Sequence, residues 1–210
     1  MGHAPKKKRL LRVAKPAVAD DGRLRCAWPL SNPLMVAYHD EEWGVPLHDD
    51  RMLFEYIVLD AFQAGLSWAI VLNKREGFRK ALAGFDPQKI ARFTEHDVER
   101  LVADTSIIRN RQKIMAAVTN ARAFLDLQAR HGSFDSYIWQ FVGDSPMVNT
   151  WKTLAELPAR TPQSDEMSRS LRAEGFKFVG STICYAFMQA AGMVNDHIVS
   201  CYRWKEVQAQ

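Results

Sequence analysis

The sequence predicts an all-α protein, on three observations. Apolar residues recur at the three- and four-residue spacing of one helix face over Arg111–Arg130. Helix start signals occur at Asp86-Pro87 and at Thr94 with Asp97 three residues later. No segment shows sustained two-residue alternation, the pattern of a half-buried strand. With 210 residues, of which 47% are hydrophobic, the chain can bury a core as one large domain or two small lobes.

The helices have recognisable ends. Apolar residues at helical spacing predict a helix that runs to Phe62; Gly65 then stops it, and Ser67 can cap a new helix that begins at Trp68. Gly132 and Gly175 end two later helices in the same way. The remaining helices are predicted over 87–90, from Thr94 to about Val102, from Arg111 to Arg130, from Ser133 through Val142, from a cap at Ser164, and over about Ser181–Ala191. Residues 143–164 are predicted to be a connection with one helical turn.

The chain is predicted to divide into a disordered basic tail over 1–24, one helical unit of two lobes over 25–204, and a short C-terminal tail over 205–210. Residues 1–25 hold eight Lys or Arg against two Asp, whereas the remainder holds 20 basic against 22 acidic residues. The tail can be an arm attracted to phosphate, a nuclear-localisation look-alike or a solvated extension. Any nucleic-acid surface on the body must therefore be a local patch.

Cysteine usage and hydropathy predict a cytosolic protein that does not enter a membrane. No apolar run approaches the roughly 18 residues of a membrane span. The three cysteines, Cys26, Cys184 and Cys201, are too few and odd in number for a disulfide framework. Cys184 falls on an apolar helix face, where core packing is the expected role.

The bend between Phe62 and Trp68 is the first candidate site. Asp60 lies on or beside a buried face, where a carboxylate is costly without a partner. The amide of Gln63, the side chain of Leu66 and the indole of Trp68 follow within one bend. The alternative is an ordinary helix corner in a core.

The segment Asp104–Asn110 is a candidate phosphate site. A tight turn between two helices offers the backbone N–H groups of a helix N-terminus, and Arg109, Arg111 and Lys113 surround it. The helix–hairpin–helix element of DNA-repair proteins is similar, although it usually carries glycines in its hairpin and this segment has none. The alternative is an ordinary helical hairpin.

Two cysteines and two histidines form a candidate metal site. His197 and Cys201 are four residues apart, which places them on one face of a helix, and Cys26 and His39 lie near the start of the body. Two imidazoles and two thiolates are a tetrahedral zinc set of the closed, structural kind. Such a site would join the first and last segments of the body. The alternative is a buried thiol beside an unrelated histidine.

Four aromatic residues cluster in the same early region: Trp28, Tyr38, Trp43 and Trp68. Most tryptophans are large core residues, but four rings beside a buried carboxylate suggest a box for a flat or cationic group.

Several motifs together resemble one family. They are Arg25-Cys26-Ala27-Trp28, Tyr38-His39-Asp40-Glu41-Glu42-Trp43-Gly44-Val45-Pro46, Phe62-Gln63-Ala64-Gly65-Leu66-Ser67-Trp68, Ile107-Ile108-Arg109-Asn110, Gly175-Phe176-Lys177-Phe178-Val179-Gly180 and Asn195-Asp196-His197. In this order, from about Arg25 to Cys201, they resemble bacterial DNA-3-methyladenine glycosylase I. The resemblance implies an all-α helix–hairpin–helix fold. No strategically placed lysine indicates Schiff-base chemistry, although Lys74 lies downstream of Trp68, so a monofunctional enzyme is expected. Its expected activity is the excision of 3-methyladenine from double-stranded alkylated DNA, which starts base excision repair.

The resemblance also implies residue roles. Trp68 would stack on the base, while Tyr38 and Asp60 bond its polar edge. Trp28, Trp43 and Gln63 would form pocket walls, and Gly65 and Leu66 would enter the duplex gap. The residues expected to grip the DNA backbone are Ile107, Ile108, Arg109, Asn110, Arg111 and Lys113. The ligands expected to hold a structural Zn²⁺ are Cys26, His39, His197 and Cys201.

The protein is expected to act as a monomer in the bacterial cytoplasm, at the nucleoid.

Two positions depart from the family pattern. Asp60 stands where the family usually has glutamate, and Met35 stands where a tyrosine usually precedes Tyr38 by three residues. A carboxylate one methylene shorter reaches the base only with a helix shift or a bridging water. One hypothesis is that specificity has drifted toward a larger or different alkylated purine. Two further alternatives are a relative that binds lesions without cleaving them and a helical zinc protein unrelated to DNA.

Overall fold

The computed structural model describes residues 17–18, 21–30 and 32–209. Most of the predicted basic tail over 1–24 lies outside the described residues, as does the end of the C-terminal tail at residue 210. The described residues form eleven α-helices, which confirms the helical part of the all-α prediction, and four two-residue strands, which that prediction does not include. The helices are α1 (Pro33–Glu41), α2 (Asp50–Gln63), α3 (Trp68–Asn73), α4 (Arg75–Ala81), α5 (Pro87–Ile90), α6 (Glu95–Ala103), α7 (Arg111–His131), α8 (Phe134–Trp139), α9 (Pro162–Ala173), α10 (Ser181–Ala190) and α11 (Arg203–Glu206). Four 3-10 turns cover Ala83–Phe85, Gln140–Val142, Leu154–Glu156 and Val207–Ala209.

The strands pair in two short ladders that the sequence pattern does not predict. Strands β1 (Ala17–Val18) and β2 (Leu24–Arg25) are antiparallel, and β3 (Met147–Val148) and β4 (Val194–Asn195) are parallel. Two residues are too few to produce a visible alternation. The first ladder reaches ahead of the expected boundary at residue 25, and the division of the chain into tail and body stays a prediction.

The predicted helix ends hold where a capping residue specifies them. Asp86 accepts from the N–H groups of Gln88 and Lys89 at the start of α5. Thr94 and Asp97 form the capping box of α6. Gly132, with φ of 86°, follows the last residue of α7. These local signals suffice because each one satisfies a backbone group that the helix itself leaves unpaired.

The predicted start of α9 is wrong by about one turn. Ser164 is not the cap; the helix begins at Pro162 with Thr161 as its N-cap. The side chains of Thr161 and Ser164 exchange hydrogen bonds with each other's backbone N–H groups, so Ser164 is the third helical residue of a capping box. A proline in the first helical turn needs no hydrogen-bond partner for its nitrogen, which is why the helix extends to it.

Helix α2 is the centre of the main core. Every residue from Leu53 to Phe62 is buried, and the helix packs against α7, α8 and α10. A helix surrounded on all sides buries whatever it carries, and Asp60 is therefore inside the protein. A second, smaller apolar cluster contains Tyr38, Trp43 and Ile198. Trp68 packs against both clusters, so the start of α3 lies where they meet.

No helix among the described residues is long and apolar enough to cross a membrane.

Candidate functional site

A cavity of about 230 Å³ lies at the junction of the two apolar clusters. It is lined by Trp28, Tyr38, Trp43, Asp60, Gln63, Trp68, Leu157, Ala186 and Gln189. The structure thus brings together all six residues for which the sequence predicts a catalytic or pocket role. Helices α1, α2, α3 and α10 each contribute to the lining, although their residues are far apart in the chain.

The walls of the cavity are aromatic. The ring centroids of Tyr38 and Trp68 are 5.1 Å apart with an interplanar angle of 47°. Those of Trp28 and Trp43 are 5.2 Å apart with an angle of 73°. Aromatic faces carry partial negative charge, so an enclosure of this kind favours a flat group and favours a cationic one further.

Asp60 brings an unpaired carboxyl group to this apolar enclosure. The residue is 2% exposed, and its Oδ2 has no hydrogen-bond partner among the described residues. Burial raises the pKa of Asp60 well above its ordinary value of 3.8. The carboxyl group is consequently held neutral over a pH range in which an exposed aspartate is ionised. An unpaired buried oxygen costs roughly 1–3 kcal/mol, which a ligand that bonds it would recover.

A second unpaired polar atom lies nearby. The indole Nε1 of Trp68 is buried and makes no hydrogen bond within the part of the chain that the structure describes. Burial, and then the charge of Asp60, raise the pKa of the Tyr38 hydroxyl well above its ordinary value, so this hydroxyl stays protonated. The cavity therefore combines aromatic faces with a carboxyl group and a hydroxyl, the groups needed to bond the polar edge of a planar ligand.

The bend from α2 to α3 exposes an apolar side chain next to the cavity. Gly65 has φ of 80°, a conformation that L-residues with a side chain rarely adopt. Leu66 follows and is 40% exposed, between the cavity residues Gln63 and Trp68. Ser67 precedes α3 as predicted, but its side chain makes no capping hydrogen bond.

The predicted phosphate site at the start of α7 is only partly available. Ile107 is buried in the core and Ile108 is half-buried, whereas Arg109 and Asn110 are exposed. The side chain of Asn110 caps α7 by accepting from the N–H of Lys113 at 3.1 Å. Arg111 forms an ion pair with Glu95. Of the predicted cations, Arg109 is thus the one that is exposed and forms no ion pair with another described residue.

Lys113 departs from the prediction of a phosphate contact. It is 7% exposed, and its Nζ donates to the carbonyl oxygens of Phe62 at 2.8 Å and Ala64 at 2.6 Å. Lys113 is the third residue of α7, a position that can face inward as well as outward, and the end of α2 packs over it. The side chain is turned toward the bend that carries Leu66.

A second hairpin joins α9 to α10 through Gly175 and Gly180. The backbone of Lys177 is clamped by the buried side chain of Asn120, which accepts from its N–H at 2.7 Å and donates to its carbonyl oxygen at 3.1 Å. Phe178 is 36% exposed and has φ of 56°. No side chain of a described residue caps the N-terminus of α10. Unlike residues 104–110, this hairpin carries the glycines that are usual in a helix–hairpin–helix element.

The predicted metal ligands Cys26, His39, His197 and Cys201 form a buried group, here called the Cys2His2 cluster. One ligand atom from each residue lies within 4.8 Å of the others. The Cys201 Sγ is 3.6 Å from both His39 Nε2 and His197 Nδ1, and the Cys26 Sγ is 3.8 Å from His197 Nδ1. Tetrahedral zinc with bonds of about 2.0–2.3 Å places its ligand atoms roughly 3.6 Å apart. The four residues therefore fit a tetrahedral metal ion.

The outer nitrogens of both histidines are also bonded. His39 Nδ1 is 2.8 Å from Asp40 Oδ1, and Asp40 in turn accepts from Arg25. His197 Nε2 is 3.0 Å from the backbone oxygen of Trp43. Partners of this kind fix the orientation and tautomer of a ligating imidazole.

The two thiols of the cluster have opposite pKa shifts. The hydrogen bond with Cys201, together with burial, raises the pKa of Cys26, whereas the bond from Cys26 and those from both histidines lower the pKa of Cys201. One thiolate is thus favoured even without a metal ion, and a metal requires the second.

Three cavity residues are not predicted from the sequence: Leu157, Ala186 and Gln189. Gln189 Nε2 donates to Asp196 Oδ2 at 2.7 Å, and Asp196 also accepts from Asn149, Trp151 and Tyr185. The available signal is a glutamine three positions after Ala186, on a helix whose residues after Thr182 are otherwise mostly apolar. Leu157 lies in the irregular connection and carries no such signal.

Comparison with known proteins gives consistent matches. The sequence model of the methyladenine glycosylase family matches residues 28–204. The chain is 52% identical over 177 residues to DNA-3-methyladenine glycosylase 1 of Escherichia coli strain K12, covering 84% of this chain and 95% of that protein. A crystal structure of 3-methyladenine DNA glycosylase I matches at 51% identity and a TM-score of 0.83, covering 85% of this chain and 98% of its own. A structure on 3-methyladenine recognition by the Staphylococcus aureus glycosylase I matches at 32% identity and a TM-score of 0.83, covering 85% of this chain and 95% of its own.

Proposed function

The chain belongs to the methyladenine glycosylase family, and we propose that it excises 3-methyladenine from alkylated double-stranded DNA. The reaction is hydrolysis of the N-glycosidic bond, the first step of base excision repair. The observation that carries this proposal is the aromatic cavity with the buried, unpaired carboxyl group of Asp60. An enclosure with that composition suits a flat, cationic base with a polar edge.

The chemistry of the lesion explains why such a site suffices. Methylation at N3 gives the base a positive charge in the nucleotide, which weakens the glycosidic bond, and the base leaves as a neutral molecule. The enzyme must extrude the nucleotide, at a cost of a few kcal/mol, and hold the base. Recognition and positioning matter more in this reaction than a strong nucleophile does.

Each cavity residue has a role in this proposal. Trp68 stacks on the base, Tyr38 and Asp60 bond its polar edge, and Trp28, Trp43 and Gln63 form the walls. The positive charge of the lesion favours the ionised form of Asp60 and lowers the pKa of its carboxyl group, which burial raises. An undamaged neutral base offers no such compensation.

We further propose that the enzyme is monofunctional. Strand cleavage by a bifunctional glycosylase needs an amine that forms a Schiff base with the sugar. No lysine is among the described residues that line the cavity. Hydrolysis without strand cleavage is therefore expected.

The contacts to the duplex are proposed at three places. Gly65 and Leu66 enter the gap left by the extruded nucleotide, where an exposed apolar side chain supports the opened stack. Arg109 and its neighbours Ile108, Asn110 and Arg111 grip the phosphate backbone without reading sequence. The uncapped N-terminus of α10, with Lys177, is a second candidate for the same grip, supported by its glycines.

The ion proposed for the Cys2His2 cluster is a structural Zn²⁺. All four positions of a tetrahedral ion would be filled by protein atoms, so no site remains for water or substrate. The ion would tie residues 26–39 to residues 197–201 across the body of the protein. We propose that the protein works as a monomer in the bacterial cytoplasm, where its three unpaired cysteines stay reduced.

The proposal is tested by measuring base release from methylated duplex DNA, with products separated by chromatography. The variant is Asp60→Ala, and Asp126→Ala, which removes an exposed carboxylate from α7, is the control. We expect the wild type and the control to release 3-methyladenine and Asp60→Ala to release it about 100-fold more slowly, typical of a lost catalytic group. No release by folded, metal-loaded wild type would contradict the proposal and indicate lesion binding without cleavage.

A finer proposal concerns the range of lesions. Because Asp60 is one methylene shorter than the usual glutamate, the cavity accepts a larger alkylated purine beside 3-methyladenine. We expect Asp60→Glu to release 3-methyladenine faster and 3-ethyladenine or 3-methylguanine more slowly than the wild type. Equal release of 3-methyladenine by both proteins, with no other adduct released by either, would contradict it.

A further inference from the structure

The ammonium group of Lys113 is bound inside the protein by two backbone oxygens at the end of α2. Its Nζ is 2.8 Å from the oxygen of Phe62 and 2.6 Å from that of Ala64. The ring centroid of Phe178 lies 5.9 Å from the same nitrogen. No described acidic side chain forms an ion pair with it. The charge is thus balanced by carbonyl oxygens and an aromatic face rather than by a carboxylate.

The two carbonyl groups that bind Lys113 belong to the segment between the cavity and the duplex contact. Phe62 lies two residues after Asp60, and Ala64 lies two residues before Leu66. The last carbonyl groups of a helix have no partner within it, and a cation there is favoured by the helix dipole. Following backbone N–H groups bond the carbonyl groups of Ala61 and Gln63, and Lys113 supplies, from another helix, a partner for those of Phe62 and Ala64.

A buried lysine is an expensive way to fill this space. Burial lowers the pKa of Lys113, which means that the charged form is disfavoured there. An apolar side chain of similar length would fill the volume without the cost of removing a charge from water. What an apolar side chain would not provide is a directed bond to two particular carbonyl groups.

We infer that Lys113 is a positioning residue, which holds the Phe62–Leu66 segment in the conformation that inserts Leu66 into the duplex. This inference rests on the proposed function. Lys113 is the third residue of α7, which begins directly after the exposed Arg109 and Asn110. Its hydrogen bonds connect the start of α7, which is proposed to bind the DNA phosphates, to the segment that carries Leu66. Leu66 therefore enters the duplex at a fixed distance from the bound phosphates.

A loss of this positioning should affect the reaction on duplex DNA but not the reaction on single-stranded DNA. Extrusion and insertion are needed in a duplex, whereas in a single strand the base is already free to enter the cavity. We expect Lys113→Met to lower kcat/KM for a lesion in a duplex about 30-fold, because Leu66 is no longer inserted. For a lesion in a single strand, kcat/KM should stay within about 3-fold of the wild-type value. Lys113→Arg, which keeps the charge and the donors, should restore most of the duplex activity.

The matched control is Arg122→Met. Arg122 lies on the same helix, its Nε donates to the backbone oxygen of Ala91 at 2.9 Å, and neither residue lines the cavity. This control removes one cation and one bond to a carbonyl group from α7. We expect it to retain both activities.

A second readout does not depend on cleavage. The fluorescence of 2-aminopurine placed beside an abasic-site analogue in a duplex reports whether Leu66 fills the gap. The inference predicts that the wild type and Lys113→Arg change this signal and that Lys113→Met does not. Equal losses of activity on duplex and single strand, or a fluorescence change with Lys113→Met as large as that with the wild type, would overturn the inference. Fluorescence changes without base release by the wild type would instead contradict the proposed function and leave the role of Lys113 supported.

Discussion

The cavity and the Cys2His2 cluster share a wall but differ in whether their buried polar groups have hydrogen-bond partners. The ring centroids of Trp28 and His39 are 5.4 Å apart, and those of Trp43 and His197 are 4.7 Å apart. On the cluster side, both outer histidine nitrogens have hydrogen-bond partners and the four inner atoms converge on one point. On the cavity side, Asp60 Oδ2 and Trp68 Nε1 have none among the described residues.

The bonded groups of the cluster stabilise the fold, whereas the unpaired groups of the cavity are available to bond a ligand. A satisfied buried network contributes to the free energy of unfolding, whereas an unsatisfied one subtracts from it. One reason for an unpaired polar atom to persist in a folded protein is that a bound molecule completes it, and Asp60 and Trp68, unlike the unpaired nitrogens of Arg75 and Arg203, line the cavity. We therefore expect substitutions on the two sides of the shared wall to have opposite effects on stability.

The largest effect is expected from breaking the cluster. Cys201→Ser should lower the free energy of unfolding by about 3–5 kcal/mol, because the network proposed to hold a metal ion loses one ligand. For a chain of this size the melting temperature would fall by about 10 °C. Thermal unfolding with and without a chelator measures the effect.

The matched control is Cys184→Ala, which removes a buried thiol outside the cluster. Its melting temperature should respond to the chelator as strongly as that of the wild type, whereas Cys201→Ser should respond little. A wild-type melting temperature that does not change on chelation would show that no metal ion stabilises the cluster.

An effect of opposite sign is expected from Asp60→Asn. Because the pKa of Asp60 is raised above its ordinary 3.8, folding favours the protonated form, and stability is lost as pH rises toward the raised pKa. The asparagine is neutral at every pH, so the variant should be more stable than the wild type at pH 8, with a difference that vanishes near pH 4. Each unit of pKa shift corresponds to about 1.4 kcal/mol.

The neighbours of Asp60 do not titrate in that window. Burial raises the pKa of Cys184 to about 12, and Tyr38 also stays protonated. Urea unfolding of both proteins across this pH range checks the prediction, with Asp126→Asn as an exposed control. A wild type as stable as Asp60→Asn at pH 8 would mean that the carboxyl group has a partner after all.

The smallest effect on stability is expected from Trp68→Phe. The substitution removes an unpaired N–H, which offsets part of the loss of buried aromatic area, so the free energy of unfolding should change by no more than about 1 kcal/mol. Base release should fall about 10-fold, because the smaller ring stacks less well on the base. Parallel loss of stability and activity would instead assign Trp68 to the core.

The sequence predicts the fold best where one residue determines a local boundary. Asp86, Thr94 and Gly132 each mark a helix end that the structure reproduces. The start of α9 is mistaken because Thr161 and Ser164 are both good caps, and only the proline between them decides. The two-residue ladders depend on distant pairing and leave no pattern in the sequence.

The candidate site is predictable to the extent that its residues follow recognisable motifs. The resemblance to the glycosylase family, which the comparisons confirm, names six of the cavity residues and all of the Cys2His2 cluster. Lys113 is misjudged because position on a helix does not reveal which neighbour packs over it. Gln189 is missed because its importance comes from Asp196, a bond formed only in the folded chain.

The burial of every cysteine has a consequence for the conditions under which the protein works. Reagents that methylate DNA bases also attack sulfur nucleophiles, and the exposed thiolate is the most reactive of these in a protein. Cys26, Cys184 and Cys201 are each at most 2% exposed. We expect the protein to tolerate doses of methylating agent that inactivate enzymes with surface thiols, and so to begin repair while the chemical that makes the damage is still present.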